Sequence, residues 1–467
     1  MSAGDDEDTE ANRLTARLSR YARVGVNVGG VAMGALGRRM LREDGATGRD
    51  AEALAAALGG LKGPLMKVAQ ILSTIPDAVP KEYAAELSRL QSEAPPMGPA
   101  FVKRRMRSEL GPNWQERFAR FDIAPAAAAS LGQVHRAVHH DGTPLAVKLQ
   151  YPDMASAVEA DLKQLDVIFA VQRRMDKAID TSEIRHEIAD RLREELDYRL
   201  EARHAALYRG FFGEEDTLVT VPRVHADLST GRLLTLDWVE GTRLLSHKGD
   251  RVETRRLLTR ALFHAWWRPF VHLGVIHGDP HLGNYTVRSA DGAPDGINLL
   301  DYGCIRKFPP RFIRGVIGLY HGLLHDDRAR IEEAYTLWGF KDLKRETIDT
   351  LNVWARFIYG PLLDDRVRKV AEGVNPAEYG REQVIAVRRA LKEQGRVLIP
   401  REFVFMDRAA IGLGGVFIHL DADLNFYRIF NEEIEGFSAS ALEERQSAAL
   451  AAAGLEPVQD EKHRTEA

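Results

Sequence analysis

"IHGDPHLGNYTV", residues 276–287, followed by "NLLDYGCI", residues 298–305, is the part of this 467-residue chain on which the reading of the fold turns. Asp279 and Asn284 stand five residues apart, His277 lies two before the aspartate, and Asp301 follows Asn284 by seventeen. A carboxylate and a side-chain amide oxygen are hard ligands of the kind Mg2+ selects. Taken alone, the first stretch also reads as a polar loop turning around Pro280 and Gly283. The second stretch weighs against that, because an apolar, strand-like run delivers Asp301 directly ahead of Tyr302 and Gly303.

Phosphotransferases of the kinase type use such a set. One aspartate positions or accepts the proton of the nucleophile, an asparagine five residues later holds magnesium, and an Asp-Phe-Gly aspartate bridges the metal to the phosphates. Asp279, Asn284 and Asp301 match these places, with Tyr302 for the phenylalanine. Upstream, "LAVKLQ" (145–150) puts Lys148 on a strand, where a lone lysine is ordinarily a solvated charge. Here an Asp141-Gly142 turn joins that strand to "QVHRAVH" (133–139), a hairpin signal.

In front of the hairpin stands "APAAAASLGQVHRA" (124–137). Aligned on a Gly-rich phosphate loop, Ala127, Ala128, Ala129, Ser130, Leu131, Gly132, Gln133 and Val134 keep the last glycine and the valine but lose the first two glycines. An alanine held in a left-handed conformation costs roughly 1–2 kcal/mol, so this loop is expected to be stiffer than a glycine loop. The loop–hairpin–lysine order sets the Lys148 ammonium on the α/β-phosphates of a nucleotide. The helix "RLREELDYRLEARHA" (191–205) offers Glu194, Glu195, Asp197 and Glu201 as carboxylates to pair with it, though it also reads as a solvated helix with i,i+4 ion pairs.

The bulk numbers narrow the class. Hydrophobic residues make up 45% and charged residues 28%, ordinary for a soluble globular protein. A net charge of −4 provides no basic field, so no nucleic-acid partner is expected. The single cysteine, Cys304, excludes an intramolecular disulfide and a Cys-based zinc cluster, and fits a reducing compartment. The acidic start, MSAGDDEDTE, argues against a transit peptide, and no signal-peptide pattern follows. The apolar stretch Val24–Gly37 covers about 21 Å as a helix, short of a bilayer core. Flanked by Arg20, Arg23, Arg38, Arg39 and Arg42, it leaves packing, interfacial docking and spanning as open readings.

The organisation expected is a disordered acidic tail (1–13), a helical extension (14–95), a small strand-containing lobe (96–240), a larger helical lobe (241–440) and a polar tail (441–467) read as a helix that frays. A helix is read over 101–111, a motif-dense loop over 276–304, and a buried helix over 409–420. That is an α+β, bilobal, protein-kinase-like fold with an extension in front.

These elements, together with "GPLMKVAQILSTIPDAVP" (63–80), resemble the UbiB-like atypical kinases, the aarF-domain family, over about residues 15–430. The family's K-x-G-Q motif is matched by Lys67-Val68-Ala69-Gln70, with Ala69 for the glycine, and its E-x-D motif by Glu195-Leu196-Asp197. The resemblance implies that Lys67 and Gln70 lie over the nucleotide cleft, where Lys67 meets Glu195 and Asp197, and that Glu201 pairs with Lys148. It implies ATP and Mg2+ as cofactors, ubiquinone or other isoprenoid-lipid metabolism as the setting, and ATPase or small-molecule kinase activity more than protein kinase activity. His281 stands where Ser/Thr protein kinases carry a lysine, and no Ala-Pro-Glu element follows Asp301. The polar C-terminus points to the Coq-type members, which lack anchor helices. Further partners to test are a lipid or quinone-precursor ligand and a peripheral membrane contact through residues 20–42, at a cytoplasmic or inner-membrane-face location. Two alternatives stand beside this reading: a small-molecule kinase of the aminoglycoside/choline type, and a nucleotide-binding pseudokinase scaffold.

Overall fold

The computed structural model describes residues 97–458, except 130, 153, 157, 160–161, 163–188, 191, 215, 341–342, 371 and 373–400. Lys67, Gln70, Ser130 and the stretch 20–42 therefore lie outside the described residues. The chain divides into two compact units, one ending at Leu200 and taking in Val224–Trp238, the other made of Glu201–Arg223 and the residues from Val239 onward.

In the first unit, helix α1 (Pro99–Leu110) has proline in its first turn and ends at Gly111, whose φ of +88° suits glycine. Its antiparallel sheet runs in the order β1 (Arg120–Ala129), β2 (Gly132–Val138), β3 (Pro144–Gln150), β5 (Leu233–Asp237). Alternation on β3 turns Leu145, Val147 and Leu149 inward, where they meet Phe101, Val102 and Met106 of α1 with Trp114 and Phe118. Lys148 falls on the opposite face by the same period. The Asp141-Gly142 turn forms as expected: Asp141 accepts the Thr143 N–H (2.8 Å), and Gly142 adopts φ +90°.

The alanines are not a loop. β1 continues through Pro125 to Ala129, pairing Ala127 with Val134, Ala128 with Gln133 and Ala129 with Gly132. The register shifts on both sides of Pro125, where the missing N–H breaks the ladder. Among the described residues only Asp291, Asp326 and Asp421 are non-glycine residues with positive φ, so these alanines keep ordinary extended backbone.

The second unit is built on α3 (Val252–Leu273), which buries Leu258, Leu262, Phe263, Trp266 and Phe270. Its four-stranded sheet has the order β4 (Val219–Thr220), β9 (Ala293–Leu299), β8 (Tyr285–Ala290), β6 (Thr242–Arg243), and β7 (Val275–His277) pairs with β10 (Ile305–Lys307). The stretch 276–304, read as a loop, thus contains a hairpin closed by Asp291 and Gly292, both at positive φ. Helices α4 (Pro310–Leu324), α5 (Arg328–Leu337), α6 (Arg345–Tyr359), α7 (Arg401–Leu420), α8 (Phe426–Ile434) and α9 (Ala439–Ala452) complete it. Residues 409–420 form the expected buried helix end, with Leu413, Val416, Phe417 and Leu420 inside.

Residues 439–452 form the helix read there, packed against the unit where a fraying end was expected. α9 buries Leu442, Gln446 and Leu450, and Gln446 donates from Nε2 to the carbonyls of Leu273 (2.7 Å) and Phe308 (2.9 Å). One amide satisfies two loop carbonyls, so a polar residue does what an apolar pattern would have announced. No helix of the described residues is long and apolar enough to cross a membrane.

Candidate active site

Each unit carries its own set of candidate side chains. In the first, Lys148 sits on a central strand, opposite Val134 of β2 and Leu234 of β5. Its Nζ lies 5.0 Å from the ring centroid of Tyr198, close enough for cation–π attraction. Gly132 opens β2 where a Cβ would press into the Leu149 carbonyl oxygen and lie 2.9 Å from the Tyr198 hydroxyl. The glycine retained in the alanine-rich stretch is therefore needed for close packing, not for a left-handed turn. Beyond it, Leu131 is buried with Tyr151 and Met154, and its carbonyl accepts the Tyr151 N–H at 3.0 Å.

The turn carrying Glu195 and Asp197 is tied to β3 by Gln150, which donates from Nε2 to the Leu196 carbonyl at 3.0 Å. Asp197 caps the next helix, α2 (Tyr198–Phe212): its Oδ1 accepts the N–H groups of Arg199 (3.0 Å) and Leu200 (3.1 Å). One oxygen of this carboxylate thus has a structural task besides any ligand role. Glu201, in the first turn of α2, is 2% exposed, and a carboxylate so buried needs a cation or strong donors.

In the second unit His277 joins the two motifs. From β7 it donates through Nε2 to the Asp301 carbonyl (2.7 Å) and accepts the Asp279 N–H at Nδ1 (3.2 Å). Those two bonds assign the neutral Nε2–H tautomer. Asn284 donates from Nδ2 to the Asp279 carbonyl (2.9 Å), which turns Oδ1 away from the loop. Its own carbonyl accepts the Leu300 N–H at 3.0 Å, tying the loop to the segment that carries Asp301. Asp301 accepts the Gly303 N–H at Oδ1 (2.9 Å), closing an Asx turn. Gly278 packs against Cys304, whose Sγ would lie 2.8 Å from a Cβ, and donates its N–H to the Cys304 carbonyl at 2.6 Å.

Tyrosines line the back of this loop. Tyr302 donates to the Leu299 carbonyl at 2.7 Å, and the Tyr285 hydroxyl accepts from Trp266 Nε1 at 2.9 Å. Burial pushes both phenols well above their ordinary value, and the Asp279 and Asp301 carboxylates push Tyr285 further the same way. Both stay neutral. His281 accepts the Gly283 N–H at Nδ1 (3.1 Å) and so shapes the loop where a lysine would reach outward.

Among the described residues no group of three or more His, Cys, Asp and Glu side chains forms a metal cage. The set present, two carboxylates and an amide oxygen, fits Mg2+ of the kind that takes one or two protein carboxylates and completes its shell with phosphate and water. Two residues that bear on the site escape sequence reading. His204, three residues after Glu201 on α2, donates from Nδ1 to the Tyr302 carbonyl (3.1 Å); the i,i+3 spacing was its one signal. Gly412 of α7 lies so close to Pro280 that a Cβ there would collide with the proline ring. Nothing in the local sequence pairs those two positions.

Over 285 residues the chain is 31% identical to ACTIVITY OF BC1 COMPLEX KINASE 8, a chloroplastic protein of Arabidopsis thaliana, covering 59% of this chain and 37% of that one. Over 254 residues it is 30% identical to the mitochondrial atypical kinase COQ8 of Saccharomyces cerevisiae, covering 54% and 50%. It therefore spans half or less of the length of these two relatives. A solved structure of Rv3197 from Mycobacterium tuberculosis in complex with erythromycin superposes with a TM-score of 0.58 at 26% identity, covering 83% of this chain and 96% of that one. Residues 89–335, more than half of the chain, match the ABC1 atypical kinase-like domain, and the chain belongs to that family of kinase-like fold.

Proposed function

We propose that this chain is a Mg-ATP-dependent atypical kinase or ATPase, acting in ubiquinone or other isoprenoid-lipid biosynthesis at a membrane surface. The observation that carries the reading is His277, one imidazole holding the backbone of both Asp279 and Asp301. That arrangement makes sense where two acidic groups must face one ligand in a fixed relation.

In this reading Lys148, paired with Glu201, neutralises the α/β-phosphates of ATP. Asp279 orients the attacking hydroxyl or water and takes its proton. Asn284 Oδ1 and Asp301 would hold Mg2+, which would supply charge neutralisation for the phosphates. Ala127, Ala128, Ala129, Ser130, Gly132 and Val134 cover the nucleotide with a short-sided strand end. Lys67 and Gln70 close over it from the extension, with Glu195 and Asp197 as their partners. Phosphoryl transfer needs little covalent help from the protein, so positioning and charge are what these residues supply.

Phosphate release from Mg-ATP by the whole chain tests this, with Asp301→Asn as control, and with quinone-precursor-like phenols and anionic liposomes added in turn. Turnover that Asp301→Asn lowers by a hundredfold or more is expected, with stimulation by the phenol or the liposomes. Nucleotide binding without any release would leave the scaffold reading instead. The erythromycin complex of the Mycobacterium tuberculosis relative supports a second reading, binding of a macrolide. A rise in melting temperature with erythromycin is expected from it, and an unchanged one at saturating concentration removes it.

A further inference from the structure

Asp301 sits in a turn whose backbone is held from two sides. The Asp301 carbonyl accepts from His277 Nε2 at 2.7 Å, and the next carbonyl, that of Tyr302, accepts from His204 Nδ1 at 3.1 Å. The two imidazoles come from different elements, β7 and α2. His204 is buried, and burial keeps its imidazole neutral, down at about 4, against the pull of the carbonyl and with the charges of Arg306, Lys307 and Arg203 adding to the same effect. A neutral ring that donates at Nδ1 is a directional strut, since a charged one would be poorly tolerated there. One turn further along α2 Tyr208 packs its ring against Tyr302, centroids 5.7 Å apart. The same helix thus grips the backbone and the side chain of Tyr302, while Asp301 Oδ1 is spent on the turn's own Gly303 N–H.

We infer that His204 is a positioning residue for the metal-holding aspartate: by donating to the Tyr302 carbonyl it fixes the Asp301–Gly303 turn to helix α2 and so sets where the Asp301 carboxylate faces. This rests on the reading of Asp301 as a magnesium ligand.

Three variants of the full chain test it: His204→Leu removes the donor, His204→Asn puts an amide nitrogen near the Nδ1 position, and His204→Gln puts one further out. Backbone hydrogen exchange of residues 299–306 reads the turn directly and does not depend on turnover. His204→Leu is expected to speed that exchange about tenfold, the loss of about 1.4 kcal/mol of protection. His204→Asn is expected to stay within threefold of wild type, with His204→Gln resembling the leucine variant. In phosphate release, His204→Leu is expected to lower kcat about tenfold and raise the Mg2+ concentration for half-maximal rate, with the KM for ATP within twofold. Exchange that is unchanged in His204→Leu, or no better in His204→Asn than in His204→Leu, overturns the inference. A chain that shows the exchange contrast but releases no phosphate keeps the strut and overturns the magnesium-ATP reading instead.

Discussion

At the scale of single residues, small side chains decide the first unit. Gly132 is hemmed in by the Leu149 carbonyl and the Tyr198 hydroxyl, so Gly132→Ala is expected to cost about 1–3 kcal/mol, read as a lower urea midpoint. Ala129 lies in paired, extended strand, where glycine is only about 0.5–1 kcal/mol worse. Ala127→Gly and Ala129→Gly should therefore fold, and their effect should appear in nucleotide affinity or in the balance of ATP hydrolysis against transfer. Unaltered binding and turnover in both would make the alanines incidental to the chemistry. Tyr302→Phe removes a buried donor from the Leu299 carbonyl, and a loss of about 1 kcal/mol in unfolding free energy is expected.

At the scale of elements, local chemistry that is written in one stretch was legible and chemistry shared between stretches was not. The Asp141-Gly142 hairpin, the end of α1 at Gly111 and the strand carrying Lys148 follow from turn residues and a period of two. The β8–β9 hairpin carried an equally good Asp291-Gly292 signal, hidden by the density of motifs around it. The alanines were misread because a phosphate-loop template was laid over residues that the neighbouring strand had already claimed. His264 shows the other case. On α3, it bonds Asp216 ahead of β4 at 2.8 Å and Glu433 of α8 at 3.2 Å, and Arg268 and His272 of α3 also face Glu433. Burial lowers the imidazole's affinity for its proton, but the two carboxylates outweigh it and hold the value above 6.5. Burial likewise opposes Glu433, yet its hydrogen bond to His264 and the approach of His272 bring it to about 2, and the bonds from His264, Leu218 and Val219 bring Asp216 down against its own burial. The histidine's contribution is fully present below 6.5 and is lost as pH rises through its raised value; that of Glu433 is present above 4.5 and is lost as pH falls toward 2. His264→Gln should therefore lower stability by about 3 kcal/mol, most strongly near pH 5–6 and less at pH 8. A pH-independent difference between the two proteins would contradict the charged triad.

At the scale of the whole molecule, the kinase-like plan was readable from the order of motifs, because each motif is a short run with its own chemistry. The boundary between units was not, since α2 begins in one unit and continues in the other. Removing residues 438–458 takes away Gln446 and uncovers the carbonyls of Leu273 and Phe308, so the shortened chain is expected to melt several degrees lower. Deleting residues 1–95 tests the extension separately: altered substrate choice or ATP turnover is expected, and an unchanged profile would free the extension from the cleft. Co-sedimentation with anionic liposomes should weaken on removal of residues 1–45, because each basic residue near such a surface contributes about 1 kcal/mol. The close approach of Gly412 to Pro280 reaches further than packing. The family match ends at residue 335, yet the floor beneath the His277–Asn284 segment is a helix backbone seventy-seven residues beyond it. Two relatives could exchange everything within the matched span and still be incompatible, if the recipient carried any side chain at position 412. A helix outside the matched span thus holds a veto over the His277–Asn284 segment.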